Sequence, residues 1–246
     1  MSIPKIIHYC WFGGGPIGEA DRKCIESWQK FCPDYRIMRW DETNFDLDCS
    51  PYVRQAYDAG RYAFVSDYVR LAVLYRYGGI YLDTDVELVK PLDELLELPG
   101  FMGFQTNNEV ATGLGFGARK GNSVVQALLR DYDALDFLKA DGSADLTPCP
   151  ERNTRVLQAL GVRVDGTRQS IAEMEIFPAE YFCPMDFYSR ELRVTPKTYS
   201  IHRYAESWKP KPSAVSRILQ RLLKKHYYTW YCPLRGRIEG RLRKRT

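Results

Sequence analysis

The chain has 246 residues, 45% of them hydrophobic, enough for one substantial core and so for one domain with an appendage. No stretch approaches the roughly 20 uninterrupted apolar residues that cross a bilayer, and Met1-Ser2-Ile3-Pro4-Lys5 lacks the apolar run of a secretory signal, so a cytoplasmic body is expected. The net charge of +4 is unevenly spread: from Lys209 onward twelve basic residues face one acid, Glu239, whereas the preceding body holds 23 basic and 30 acidic residues and must meet different partners.

Residues 6–12 read as a buried strand ending at the turn signal Gly13-Gly14-Gly15-Pro16. A helix follows to about Phe31, stopped by Cys32-Pro33-Asp34, and residues 35–40 form a second strand candidate. From about residue 63 to 77 apolar and aromatic side chains recur at helical spacing, and Gly78-Gly79 supplies the C-terminal stop. Ile80-Tyr81-Leu82 is then a short buried strand that delivers Asp83 to its carboxyl end, the edge where open α/β sheets bind ligands. This alternation predicts an α/β fold with a Rossmann-like, mostly parallel sheet and flanking helices. Further on, residues 101–104 and 113–117 read as strands or close-packed loops, 123–135 as a helix and 141–153 as an active-site loop. The seven cysteines are widely spaced without a Cys-x-x-Cys pair, which suggests buried free thiols rather than a disulfide framework or a zinc site.

Two aspartates flanking one residue at a strand end direct hard oxygen ligands towards one divalent cation, which can bridge a diphosphate and stabilise the charge on a leaving group. An Asp-x-Asp alone is common in solvated loops. Here Arg70-x-x-x-Leu74-x-x-x-Gly78-Gly79-Ile80-Tyr81-Leu82-Asp83-Thr84-Asp85 places a helix, a glycine stop and an apolar strand ahead of both acids. Asp67 and Arg70, three apart on one helical face, pair an acceptor with a fork of donors suited to sugar hydroxyls; a surface ion pair has the same spacing.

Four blocks together resemble glycosyltransferase family 32: residues 3–14, residues 62–70, residues 78–85, and Tyr199-Ser200-Ile201-His202-Arg203-Tyr204-Ala205-Glu206-Ser207-Trp208. The family includes bacterial capsule and lipopolysaccharide sugar transferases. The resemblance implies a GT-A fold and a retaining transfer of a hexose from a nucleotide-diphosphate sugar, with a uridine donor favoured. The implied acceptor is a glycan or a lipid-linked sugar of bacterial cell-surface polysaccharide synthesis. It further implies that Trp11 borders the nucleobase, against a core tryptophan as the alternative. Ser66, Asp67 and Arg70 would contact the donor ribose and sugar, as a Ser-Asp-x-x-Arg pattern does in related clostridial glucosylating toxins. His202, Ser207 and Trp208 would complete the cation and diphosphate site with Asp83, Thr84 and Asp85. Asp83, Asp85, Asp67 and Arg70 are thus the expected catalytic set, and Asp83, Asp85 and His202 the expected ligands of Mn²⁺ or Mg²⁺. Two weaker candidates are the Gly113, Gly115 and Gly117 alternation, open to a substrate backbone approach or to tight strand packing, and Thr147-Pro148-Cys149-Pro150 with Asn153, which resembles an acceptor-side loop.

The boundary is drawn between a catalytic domain at 1–208 and a tail at 209–246. In the tail, Ala214, Val215, Ile218, Leu219, Leu222 and Leu223 lie on one helical stripe while Arg217, Arg221, Lys224 and Lys225 occupy other positions, with Tyr227, Tyr228, Trp230 and Tyr231 following. That pattern suits a basic amphipathic helix on an anionic membrane surface, hence a peripheral position on the inner face of the plasma membrane. Packing on the body and nucleic-acid binding are the rivals, and nucleic acid is not expected as the partner. Two other functions compete with sugar transfer. A binding module for nucleotide sugars would bind without turnover. A phosphatase of the haloacid dehalogenase type shares an apolar strand leading into Asp-x-Asp-x-Val, but needs that motif near the N-terminus and a later paired acidic motif, whereas about eighty residues precede it here and the chain has no adjacent Asp-Asp.

Overall fold

The computed structural model describes residues 2–187 and 189–205. In chain order the elements are β1 (Ile6–Cys10), α1 (Glu19–Phe31), β2 (Arg36–Trp40), α2 (Pro51–Asp58), α3 (Tyr62–Tyr77), β3 (Gly79–Tyr81), β4 (Val86–Leu88), β5 (Gly100–Phe104), β6 (Val110–Ala111) and β7 (Phe116–Ala118). There follow α4 (Ser123–Asp133), α5 (Cys149–Ala159), β8 (Gln169–Ile171), β9 (Met174–Phe177), α6 (Ala179–Phe182) and β10 (Ser200–His202). The main sheet has the order β2-β1-β3-β7-β5-β9-β8, with β6 on the edge of β5. β1, β2, β3, β5 and β9 run one way and β6, β7 and β8 the other, so the sheet is mostly parallel in strand direction, as the alternation of elements predicts, with antiparallel pairings where β6, β7 and β8 join it. β4 and β10 pair separately as a two-stranded antiparallel ribbon.

α3 is the central helix. Phe64, Val65, Tyr68, Val69, Leu71, Val73 and Leu74 are all buried, and a helix apolar on several faces belongs inside rather than on the surface. Its end is set by Gly78 and Gly79 with φ of 68° and 112°, where a side chain is strained; a Cβ on Gly79 would also lie 2.7 Å from the Ile6 carbonyl oxygen. The fully buried His8 ties this corner to β1 and β2. Its Nε2 bonds the Gly78 carbonyl at 2.9 Å, and its Nδ1 accepts from Trp40 Nε1 at 3.0 Å. Those bonds together require the neutral tautomer with the proton on Nε2.

The expected element boundaries shift at a few places. Trp11 and Phe12 lie beyond the end of β1, although Trp11 N still bonds the Trp40 carbonyl at 2.9 Å. The expected 141–153 loop ends early, because Pro148 caps α5 and Pro150 fits its first turn, where no intrahelical N–H is needed. α2, begun in the same way by Ser50 and Pro51, has no counterpart in the sequence reading. Among the described residues no helix is long and apolar enough to cross a membrane. Arg190 N bonds the Asp186 carbonyl at 2.9 Å in a turn late in the described residues. Ser207, Trp208 and the basic tail lie outside the described residues.

Candidate functional site

The carboxyl ends of β1 and β3 lie side by side, and the site is built beyond them. The chain leaving β3 is fixed by two backbone bonds, Leu82 N to the His8 carbonyl and Asp83 N to the Gly113 carbonyl, each 3.1 Å. Asp83 Oδ1 then accepts from Arg70 Nη2 and from the Tyr81 hydroxyl, both at 3.0 Å. A Cβ on Gly113 would sit 2.0 Å from Asp83 Oδ2, so only glycine admits the carboxylate in this position. Gly117 has a similar role towards the Phe101 ring, and Gly115, at φ 133°, lies against Phe182. The glycine alternation therefore serves close internal packing, one of its two expected uses.

Asp67 and Arg70 form a buried pair, not a surface one. Arg70 Nη2 is 3.1 Å from Asp67 Oδ1, its Nε donates to the Ser66 carbonyl at 3.2 Å, and its guanidinium lies over the Tyr81 ring. With 6% of its side chain exposed, Arg70 spends its donors on the protein's own carboxylates and holds Asp83 in place. Burial pushes Asp67 up to about 6, with Arg70 opposing and the charge of Asp83 adding to the rise. Behind Arg70 lies a layer that includes two residues unassigned by sequence motif, Tyr81 and Thr112. Asn153 Nδ2 donates to Thr112 Oγ1 and to Cys149 Sγ, each at 3.1 Å, and Arg70 Nη1 reaches the same two atoms at 3.5 and 3.6 Å. The Thr147 to Asn153 segment thus does join the site, through Cys149 and Asn153. Burial, then the charge of Asp67, pushes the Cys149 thiol up to about 12, so it acts as a neutral wall.

Asp85 is held from a different direction. β10 runs antiparallel to β4 with His202 opposite Val86, which brings His202 Nε2 to 3.2 Å from Asp85 Oδ1. Asp85 Oδ2 accepts from Ala205 N at 2.7 Å, and its carbonyl accepts from Arg203 N at 2.9 Å. Burial opposes ionisation of Asp85, but the charge and hydrogen bond of His202 and the Ala205 amide hold it down at about 2. Burial likewise lowers His202, and the charges of Asp85 and Asp83 outweigh it, leaving the imidazole raised. Ligand atoms of Asp83, Asp85 and His202 all lie within 4.8 Å of one another. Two carboxylates and an imidazole are a suitable ligand set for a divalent cation, and His202 Nδ1 is buried without a hydrogen-bond partner. These residues fit a divalent cation.

Of the remaining expected residues, Thr84 lies between the two carboxylates and donates to Asp21 Oδ1 at 3.0 Å. Ser66 faces the same end of α3, with its hydroxyl bonded back to the Tyr62 carbonyl at 3.0 Å. Trp11, just beyond the carboxyl end of β1, is half-buried and outside the core, its Nε1 donating to the Gly15 carbonyl of the glycine loop at 2.6 Å.

Comparison with known proteins follows the same outline. The chain is 31% identical over 144 residues to inositol phosphoceramide mannosyltransferase 3 of Schizosaccharomyces pombe, a match covering 55% of this chain and 39% of that protein. It is 28% identical over 158 residues to an uncharacterised glycosyltransferase of Acanthamoeba polyphaga mimivirus, covering 59% and 60%. Among solved structures, the PaToxG glycosyltransferase aligns over 64% of this chain and 69% of that one, with 22% identity and a TM-score of 0.47. These matches span between 29% and 60% of the length of the curated relatives, less than two thirds of each. Residues 18–101, from the residue before α1 to the start of β5 and including Asp83-Thr84-Asp85, match the family described as the glycosyltransferase sugar-binding region containing a DXD motif.

Proposed function

We propose that the protein is a metal-dependent glycosyltransferase of the GT-A type that moves a hexose from a nucleotide-diphosphate sugar to a glycan or lipid-linked acceptor, with retention at the anomeric carbon. The observation that carries this reading is the convergence of Asp83, Asp85 and His202 at the carboxyl edge of the sheet, the two aspartates lying inside the segment that matches the sugar-binding family. Asp83, Asp85 and His202 would hold a Mn²⁺ or Mg²⁺ ion there, which would supply positive charge to offset that of the departing diphosphate. The chain's own residues do the positioning. Asp83, oriented by Arg70 and Tyr81, and Asp85, oriented by the Ala205 amide, present their carboxylates together. Trp11, just beyond β1, offers a planar face for the base, with a uridine donor as the first choice, and Ser66 and Asp67 line the approach to ribose and sugar. The buried wall of Cys149, Thr112 and Asn153 keeps water from the inner side of the site.

The named relatives include inositol phosphoceramide mannosyltransferases, which favours a lipid-linked acceptor and places mannose among the donors to test. The resemblance to family 32 favours a role in bacterial surface polysaccharide synthesis, and residues 209–246 suit attachment to the inner face of the plasma membrane. The deciding experiment incubates the full chain with a panel of nucleotide sugars and Mn²⁺ and follows slow donor hydrolysis, beside a phosphate-ester control. Hydrolysis of one donor class is the expected result. Binding without turnover would make the protein a binding module, and cleavage of the phosphate ester alone would overturn the transferase reading.

A further inference from the structure

We propose that Asp21, on α1, is a positioning residue for the cation site and acts through the hydroxyl of Thr84; this rests on the transferase reading above. α1 lies along the segment that follows Asp83 and bonds alternate residues of it. The Thr84 hydroxyl donates to Asp21 Oδ1 at 3.0 Å, Trp28 Nε1 donates to the Val86 carbonyl at 2.7 Å, and Ser27 Oγ accepts from Leu88 N at 2.9 Å. Asp21, Cys24 and Trp28 fall on one helical face, and the last two are buried, so the helix cannot slide along the segment it grips. On the other side of β4, β10 brings in His202.

Thr84 is therefore the link between two ligands that are themselves anchored elsewhere. A β-branched side chain has few rotamers, so fixing its hydroxyl fixes χ1 and restricts the backbone joining Asp83 to Asp85. Asp21 sits in the first turn of α1, where a carboxylate is also favoured by the helix end. Its role is that of an outer partner that sets the spacing of the inner carboxylates, and it does not bind the cation itself.

The test measures Mn²⁺ affinity of the full chain from the paramagnetic resonance signal of free aqueous Mn²⁺, with the unfolding midpoint as a control. Asp21→Ala is expected to weaken Mn²⁺ binding at least about tenfold, the lower end of what losing an outer partner costs. Asp21→Asn, whose amide oxygen still accepts the hydroxyl, keeps most of the affinity. Thr84→Val, nearly isosteric, removes the same bond from the other side should Asp21→Ala fold poorly, and adding Asp21→Ala to it produces no further loss. Equal losses in Asp21→Ala and Asp21→Asn, or additive losses in the double variant, would show a through-space charge effect and overturn the proposal. Unchanged affinity in Asp21→Ala overturns it while leaving the transferase reading intact. A wild-type chain that binds no Mn²⁺ overturns both.

Discussion

Asp83 and Asp85 are separated by one residue, yet they are held by regions far apart in the chain and of different character. Asp83 belongs to the interior: Arg70 from the central helix, Tyr81 from β3 and the space left by Gly113 fix it, and removing any of these disturbs buried structure. Asp85 belongs to the ribbon: His202 and the Ala205 amide, more than a hundred residues later, fix it from β10 and the chain beyond. The interior half is thus coupled to folding stability, and the ribbon half chiefly to the site. A site assembled this way separates the ligand that the fold guarantees from the ligand that a late segment must deliver.

Four experiments bear on that contrast. Asp83→Asn and Asp85→Asn each lower donor turnover at least about a hundredfold, a loss comparable to removal of a key electrostatic group in other enzymes, with the circular dichroism spectrum unchanged. Full activity in either would remove that carboxylate from the site. Arg70→Leu leaves the buried Asp67 and the partly exposed Asp83 without their partner and costs about 3–5 kcal/mol in urea unfolding. A loss as small as a surface ion pair gives would show that the interior half is not built on Arg70. His202→Ala weakens Mn²⁺ at least about tenfold, as much as loss of an outer partner, with less effect on stability than Arg70→Leu; the reverse order would erase the distinction between the halves.

The smallest effect concerns pH. Burial lowers the His8 pKa from its ordinary 6.5 to about 4, so the folded protein keeps the imidazole neutral while the unfolded chain takes up a proton below 6.5. The stability this provides is whole above pH 6.5 and is lost as pH falls towards 4. Denaturation midpoints across that window should fall more gently in His8→Gln, which no longer titrates; an identical slope would show that carboxylates alone account for the acid sensitivity of this corner.

Local signals in the sequence set much of this. The Gly78-Gly79 stop, the apolar strand into Asp83, the helical face shared by Asp67 and Arg70 and the mostly parallel sheet all follow from periodicity and backbone chemistry acting within about twenty residues. The block around His202 was legible only by resemblance, since no local rule pairs residue 202 with residue 85. Tyr81 read simply as strand core, because a buried tyrosine in a strand gives no sign of where its hydroxyl points. Asp21 carries no motif, and its place in the first turn of α1 gives no sign of the partner its carboxylate takes. Tertiary structure alone decided that Arg70 is enclosed and grips Asp83, that Gly113 makes room for that carboxylate, and that α1 and β10 close on β4 from two sides. The physical reason is that backbone propensity is encoded over neighbouring residues, whereas hydrogen bonds and ion pairs across 13 to 120 positions exist only once the sheet has brought its strands together.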